Sequence, residues 1–177
     1  MAKLTTKNEL NGKFINLREV ELDDATFILS LRTDEKKSRY LNKTENDLQK
    51  QIDYLKRYKT LDNEWYFIIE NKKHEPLGTV RLYNYNPPCY TGGSWLMKEG
   101  VQPEETLEGD LLFKKFAFEI MQLEKSCFDV RKKNKKVVRY HQMWGATITG
   151  ENDVDYFMEL TKENYLNKKK TIYSLLK

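Results

Sequence analysis

The order of strand-like and helix-like segments is the feature of this sequence that most restricts its fold. Residues 65–69 form a continuous aromatic and aliphatic run, which indicates a buried strand. Residues 78–85 follow with alternating character, so that Val80 and Leu82 share one face of a second strand. Pro87 and Pro88 then end that strand, because proline cannot donate to a ladder. These segments predict neighbouring strands joined by turns.

The remaining periodic segments extend this pattern along the whole chain. Further strands are predicted over residues 14–18, 93–97, 127–131, 146–149 and 155–160. Helices are predicted from Asp23, from a cap at Thr44 to Tyr58, from Thr106, over 134–143 and over 162–175. The order is therefore β-α-α-β-β-β-α-β-α-β-β-α. Antiparallel strands followed by a β-α-β-α unit predict an α/β fold with a mixed sheet and helices on both faces.

The size and composition of the chain predict one domain over residues 1–177. The 177 residues are 39% hydrophobic and 12% aromatic, enough for one full core, and no repeat or linker interrupts them. The first twelve residues are polar, and no apolar run approaches the length of a membrane span. With only two cysteines, these features predict a cytoplasmic protein with no membrane partner.

Residue counts also exclude several chemistries. The only histidines are His74 and His141, and no CxxC or HExxH spacing is present, so no metal site is predicted. The sequence lacks both the GxxxxGK[ST] and the GxGxxG phosphate-binding patterns. The net charge of +4 is too small to indicate a nucleic-acid partner. The basic run at 131–136 is interpreted first as solvated surface and second as a phosphate contact.

Four short motifs give the chain a resemblance to a known family. They are FAFE at 116–119, FDVR at 128–131, Asn134, and Gly145-Ala146 eleven residues after that asparagine. In this pattern the chain resembles the GNAT family of N-acetyltransferases, in the branch that contains ribosomal-protein alanine acetyltransferases and amino-sugar acetyltransferases. The resemblance implies a mostly antiparallel central sheet that splays between its fourth and fifth strands. It also implies acetyl-coenzyme A as co-substrate, with a small-molecule amine as its partner, and is compatible with a homodimer.

The resemblance implies where the coenzyme binds. Trp95, Leu96 and Met97 on the fourth strand would border the pantetheine arm, and Asn134 would contact the coenzyme. The pyrophosphate would bind at the start of the following helix, where the family has a [QR]xxGx[GA] loop. Aligned from Pro103, the loop keeps Gly109, whereas aligned back from FAFE it spans 101–106 and has no glycine. Both registers stay open, so Thr106, Leu107 and Gly109 are all candidate contacts.

Four acidic residues lie in that same region, namely Glu104, Glu105, Glu108 and Asp110. Near a diphosphate they would crowd negative charge. The simpler interpretation is that they complement the dipole of a helix start.

The family reaction is the attack of an amine on a thioester, with an acid that protonates the departing thiolate. Counted back from Gly145, the position of the family's tyrosine acid is occupied by His141, with Tyr140 beside it. Neighbouring helical residues point about 100° apart, so one of the two is expected to face the thioester. Packing or surface roles are the alternative for each. No base is assigned, although Glu70 and Asp34 are candidates.

The tyrosines that flank the proline pair, Tyr83, Tyr85 and Tyr90, suit a polar, ring-bearing substrate. The segments GSW at 93–95, FDVRKKN at 128–134 and Gly145-Ala146 resemble family members of surface-polysaccharide synthesis. This resemblance implies N-acetylation of an amino-sugar nucleotide as the favoured function. A protein N-terminus is the alternative acceptor. A third hypothesis is a degenerate GNAT domain that binds a partner without catalysis, because the glycine loop is atypical.

Overall fold

The computed structural model describes residues 10–36, 39 and 43–176. Its strands are β1 Ile15–Glu19, β2 Trp65–Asn71, β3 Pro76–Asn86, β4 Cys89–Met97, β5 Lys125–Arg131, β6 Thr147–Glu151 and β7 Asp155–Thr161. Its α-helices are α1 Ala25–Thr33, α2 Leu48–Lys59, α3 Pro103–Lys115, α4 Lys135–Met143 and α5 Lys162–Tyr173. A short 3₁₀ turn, Leu22–Asp24, precedes α1, and a π-helical turn, Phe116–Ile120, extends α3. The predicted order of strands and helices is confirmed.

The strands form one mixed sheet in the order β1-β2-β3-β4-β5-β7-β6. β4 and β5 run parallel, whereas the other neighbouring strands are antiparallel. One apolar core lies between the sheet and α3, α4 and α5, and a smaller core lies under α1 and α2. The predicted α/β fold with helices on both faces is therefore confirmed.

β2 explains the uninterrupted apolar run at residues 65–69. Trp65, Phe67 and Ile69 enter the larger core, while Tyr66 and Ile68 enter the smaller one. Because successive strand residues point to opposite faces, a strand covered on both sides needs apolar side chains at every position.

A bulge in β4 produces the predicted splay of the sheet. Opposite β3, Thr79 pairs with Leu96 and Arg81 pairs with Gly93, so two residues of β4 face one residue of β3. One of the two, Ser94, has a φ of 51°, and its carbonyl accepts a hydrogen bond of 2.8 Å from the Thr79 hydroxyl. Such a bulge bends the strand that carries it.

The splay lies between β4 and β5. The two strands pair only at their first residues, Cys89 with Lys125 and Tyr90 with Ser126. Beyond these pairs the described residues of β4 and β5 form no further ladder, and this confirms a splay between the fourth and fifth strands.

Two helix starts differ from the prediction. The cap of α2 is Asp47, whose carboxylate accepts from the Lys50 N–H at 3.0 Å, whereas the Thr44 hydroxyl accepts from Arg32 Nε instead. α3 begins at Pro103 rather than at Thr106. Proline is favoured at the first position of a helix, because the N–H that it lacks has no partner there. The prediction was wrong because it interpreted this proline as part of a loop.

The carboxylate of Glu108 fixes α3 to the first strand. It accepts hydrogen bonds from the N–H groups of Lys13 at 2.7 Å, Phe14 at 2.6 Å and Ile15 at 2.9 Å. The side chain is buried, so these bonds hold the helix in a fixed place beside the splay.

Candidate functional site

The gap between β4 and β5 is an opening with unpaired backbone on one wall. The part of β4 after Tyr90 is paired with β3 on one side, but its groups on the gap side have no partner strand among the described residues. α3 begins shortly after β4 ends, so the positive end of a helix dipole lies close to the same edge. An extended chain could therefore pair with β4 while an anion binds at the helix start.

Three predicted coenzyme residues lie on this wall. Leu96 is buried, and Trp95 and Met97 are half-buried in the part of β4 that has no ladder to β5. Asn134 caps α4 through its carbonyl, which accepts from the N–H groups of Val137 and Val138. Its side chain makes no hydrogen bond with a described residue and is free to meet a ligand.

The start of α3 distinguishes the two registers of the pyrophosphate loop. Gly109 lies inside the helix, where a Cβ would be 3.4 Å from both Ile69 and Trp95. It lies beyond the first turn, so its N–H group is not one of those at the helix start. The register over 101–106 is the one that places the loop at this helix start, whereas Gly109 is part of the helix itself.

The other residues predicted to contact the pyrophosphate, at the start of α3, offer few backbone N–H groups that are not already hydrogen-bonded. Thr106 donates its N–H to the Gln102 carbonyl at 3.1 Å, and Leu107 is half-buried against the larger core. The Gln102 N–H donates to Glu105 at 3.0 Å, and Pro103 has no N–H. The helix start thus offers its dipole and fewer N–H donors than a glycine loop.

Two of the four acids in this region point away from the helix start. Glu108 is bound to the backbone before β1, and Asp110 forms an ion pair with Lys114 inside the protein. They add no negative charge to the surface where a diphosphate would lie.

Tyr140 is held in a buried polar cluster between α3 and α4. Its hydroxyl donates to Asp110, which also pairs with Lys114. Burial and the Asp110 charge raise the pKa of Tyr140 well above its usual range. This phenol is engaged in joining the two helices, and its raised pKa disfavours loss of its proton.

His141 faces the part of β5 that borders the gap. Its ring lies 4.4 Å from the ring of Phe128, two residues beyond Ser126, which is the last residue of β5 paired with β4. Its Nδ1 atom is buried and has no hydrogen-bond partner among the described residues. Burial and the nearby Lys114 lower the pKa of His141 to about 4. Its surroundings therefore favour the neutral ring.

Both cysteines lie where the gap begins. Their Sγ atoms are 3.4 Å apart, with Cys89 on β4 and Cys127 on β5. Burial and the contact with Cys89 raise the pKa of Cys127 to about 11. Since the thiolate is the nucleophile, the raised pKa leaves little of the reactive form near neutral pH.

We therefore expect slow alkylation of Cys127 by iodoacetamide. Its raised pKa leaves roughly a hundredfold less thiolate at about pH 8 than an ordinary cysteine has. Peptide mapping by mass spectrometry, with a cysteine peptide as reference, measures the rate. Cys89→Ser removes one cause of the raised pKa and should accelerate the reaction. Alkylation of the native protein at the reference rate would contradict the assignment.

A second opening lies on the opposite face of the sheet, beneath α2. This cavity has a volume of about 350 Å³ and is lined by Arg32, Lys43, Thr44, Glu45, Asp47, Lys50, Gln51, Tyr54, Tyr66, Arg81, Tyr83 and Ser94. Because Ser94 belongs to the β4 bulge, the cavity reaches the strand that borders the gap. A molecule bound there would have one end close to β4.

Only one of the three predicted acceptor tyrosines lines this cavity, namely Tyr83. Asn84 has a φ of 49°, and the irregular backbone there turns Tyr85 to the other face, 5.4 Å from Trp65. Tyr90 is buried in the larger core against aromatic rings of α3 and the π-helical turn. The predictions for Tyr85 and Tyr90 are corrected, since both are packing residues.

Sequence reasoning missed Gln51 and Arg81 as cavity residues. Gln51 shares the inner face of α2 with Leu55 and is buried, so a polar side chain at an apolar position was the available signal. Arg81 alternates with Val80 and Leu82, which indicated its face but not the cavity.

The two carboxylates considered as general bases, Glu70 and Asp34, are already bound to other groups of the protein. Glu70 binds Arg18 at 2.8 Å and His74 at 2.7 Å, and Asp34 accepts from the Lys36 N–H at 3.0 Å. In the described parts of the chain, no group of three or more His, Cys, Asp or Glu side chains is placed to hold a metal ion. None of the helices described combines the length and the apolar character needed to cross a bilayer.

Comparison with known proteins agrees with this geometry. No curated protein sequence matches the chain significantly. Among solved structures, FdhC, a nucleotide-linked sugar GNAT in its apo form, is 32% identical over 95% of this chain and 98% of its own, with a TM-score of 0.85. The spermidine N-acetyltransferase SpeG from Vibrio cholerae is 18% identical over 87% of this chain and 97% of its own, with a TM-score of 0.74.

A third solved structure, a GNAT acetyltransferase from Brucella melitensis, is 13% identical over 95% of this chain and 85% of its own, with a TM-score of 0.78. The two solved structures that are less than 25% identical to this chain show the fold alone. The family model of the acetyltransferase (GNAT) domain matches residues 15–147. The chain therefore belongs to the GNAT family and is an N-acetyltransferase.

Proposed function

We propose that this enzyme transfers the acetyl group of acetyl-coenzyme A to the amine of a nucleotide-linked amino sugar. The observation that carries the proposal is the pair of openings that meet at the β4 bulge: the gap beside β5 and the cavity that contains Ser94. The 32% identity to a nucleotide-linked sugar GNAT supports this acceptor class. The proposal treats residues 1–177 as one catalytic domain.

The residues of the gap fit the parts of acetyl-coenzyme A, which supplies the activated acetyl group as a thioester. The unpaired groups of β4 along Trp95, Leu96 and Met97 would hydrogen-bond the pantetheine arm. The positive end of α3 would hold the pyrophosphate, and the free side chain of Asn134 would contact the coenzyme.

His141 is the proposed proton carrier. Because its pKa is about 4, the neutral ring has a free nitrogen lone pair at physiological pH and accepts a proton from the attacking amine. The same proton then passes to the departing sulfur, so that a C–N bond forms while the C–S bond breaks. Tyr140 is not assigned this role, since its hydroxyl is bound to Asp110.

Spermidine is a weaker candidate for the acceptor. The spermidine acetyltransferases among the solved structures are 18% identical, so their likeness supports the fold and not the substrate. The cavity is lined by four cationic and two acidic side chains, and such an excess of positive charge repels a polycation. A nucleotide-linked sugar is anionic and suits this lining.

Calorimetric titration with acetyl-coenzyme A is the first test. We expect a dissociation constant in the micromolar range, with desulfo-coenzyme A binding similarly because the contacts lie along the arm and the pyrophosphate. Amino-sugar nucleotides are then screened for acetylation by the release of free thiol. Absence of binding at millimolar coenzyme would overturn the transferase proposal and favour the hypothesis of a non-catalytic binding domain.

A further inference from the structure

We propose that the cavity beneath α2 binds the diphosphate of the acceptor, with Gln51, Arg81 and Lys43 as the groups that recognise it. This inference rests on the proposed function, because it names the part of the acceptor that the cavity selects. The cavity lies on the face of the sheet opposite to α3, so this diphosphate site is separate from the site at the start of α3 that would hold the pyrophosphate of the coenzyme.

The first observation is an unused buried amide. Gln51 lines the cavity and is 6% exposed, yet its side chain makes no hydrogen bond with a described residue. Buried amides are nearly always hydrogen-bonded, because an unmade bond is costly in a low-dielectric interior. A ligand in the cavity would supply the missing partner. Reorientation of the flexible side chain allows its NH₂ group to meet an oxygen there.

The second observation is an arginine whose charge is weakly compensated. Arg81 stacks on the ring of Tyr83 at 4.3 Å and binds the Tyr54 hydroxyl through Nη1. Among the described residues, the carboxylate that pairs with Arg81 is that of Glu64, 4.0 Å from Nη1, and the Arg81 Nε atom is buried without a hydrogen-bond partner. The two tyrosines fix the plane of the guanidinium, and such a fixed fork suits phosphate oxygens.

The third observation is the charge of the lining. Both acids in it are already engaged: Asp47 caps α2 at 3.0 Å, and Glu45 pairs with Lys50. Lys43 is exposed at the cavity and forms no ion pair with a described residue. The lining therefore keeps a net positive potential, which favours an anion.

The arrangement also orients the acceptor. Arg81 on β3 pairs with Gly93, the neighbour of Ser94 on the β4 bulge, and Gln51 reaches the same cavity from α2. An acceptor held by its diphosphate at Gln51 and Arg81 would therefore keep its sugar beside the β4 bulge, at the strand that borders the gap. A volume of about 350 Å³ is in the range of small-molecule sites.

The test measures diphosphate binding in the presence of saturating acetyl-coenzyme A, so that the site at α3 is already filled. The probes are inorganic pyrophosphate and nucleoside diphosphates, titrated by calorimetry. We expect Gln51→Glu and Lys43→Glu each to weaken binding at least tenfold, because each adds a negative charge to the cavity. Lys56→Glu is the matched control: its side chain lies on α2 outside the cavity and is 59% exposed, and it should change binding less than twofold.

A second set of measurements tests the inference even if one of the variants fails to fold. Since Gln51 is buried, Gln51→Leu is included with thermal denaturation as a folding check, and Lys43 is exposed enough that its variant should fold normally. If amino-sugar nucleotides are acetylated with unchanged KM in both charge variants, the anion site is overturned and the function stands. If no amino-sugar nucleotide is acetylated but the variants lose diphosphate binding, the function is overturned and the anion site stands.

Discussion

Replacing Glu108 by glutamine is expected to lower the free energy of unfolding by about 3 kcal/mol or more. The buried carboxylate accepts three backbone N–H groups, those of Lys13, Phe14 and Ile15. Glutamine keeps one acceptor oxygen and presents an NH₂ group to donors, so that N–H groups that are now satisfied lose their partners. The cost is the desolvation of those donors in addition to the lost bonds.

Urea denaturation and thermal melting measure this loss. For a chain of this size, the expected drop in Tm is roughly 6–12 °C. Glu104→Gln is the control, because Glu104 lies on the same helix but its side chain makes no hydrogen bond with a described residue, and it should melt close to the native protein. Equal melting of both variants would show that the carboxylate does not carry the attachment of α3 to β1.

Gly12 belongs to the same attachment. A Cβ at this position would lie 2.5 Å from Glu108 Oε2, so only glycine lets the backbone close around the carboxylate. Nothing in the local pattern around Gly12 or Glu108 reveals this contact, since it joins residues far apart in the sequence. On sequence alone, Glu108 was grouped with the acids of a helix start.

The order of elements could be predicted because it depends on local periodicity. The run at 65–69 and the alternation at 78–85 are visible in the sequence, and the structure buries β2 on both faces as the run requires. The ends of helices were less predictable. Asp47 and Thr44 are both good caps by residue type, and only the observed bond to Lys50 distinguishes them.

The acceptor site was harder to predict, since it depends on backbone irregularities. Asn84 and Ser94 have positive φ angles, which few non-glycine residues adopt and which no sequence pattern signals. Asn84 interrupts the two-residue alternation of β3, so Tyr85 turns toward the larger core while Tyr83 stays in the cavity. Strict alternation would have placed both tyrosines on one face.

The ionisation of His141 could not be predicted either. Its pKa depends on burial and on Lys114 and Asp110, which approach it from a different helix. The spacing from Gly145 in the family pattern pointed to residue 141, but the protonation state of its side chain depends on how the folded structure packs around it.

The pH dependence of stability tests that protonation state. The folded protein holds His141 with a pKa of about 4, below its usual 6.5, so the unfolded chain binds the extra proton more readily. Stability is therefore fully present above pH 6.5 and is lost as the pH falls toward 4, by up to about 3 kcal/mol from this residue. In His141→Gln this component should disappear, whereas an unchanged profile would contradict the assignment.

Substitution of His141 should also have the largest effect on catalysis. We expect His141→Gln to lower kcat by a factor of about 10² to 10⁴, because glutamine cannot carry a proton from the amine to the sulfur. Its KM for acetyl-coenzyme A should change little, since the arm and the pyrophosphate bind to β4 and α3. Tyr140→Phe is the matched neighbour: it removes the hydroxyl bound to Asp110 and should reduce stability more than kcat.

The pH profile distinguishes the two residues further. With His141 as carrier, the native enzyme should lose kcat/KM on the acid side only through protonation of the acceptor amine and, near pH 4, of the imidazole. A large loss of kcat in Tyr140→Phe, combined with nearly normal turnover in His141→Gln, would instead assign proton transfer to the phenol. That result would require Tyr140 to leave Asp110 during turnover, and it would make the buried cluster between α3 and α4 part of the catalytic machinery.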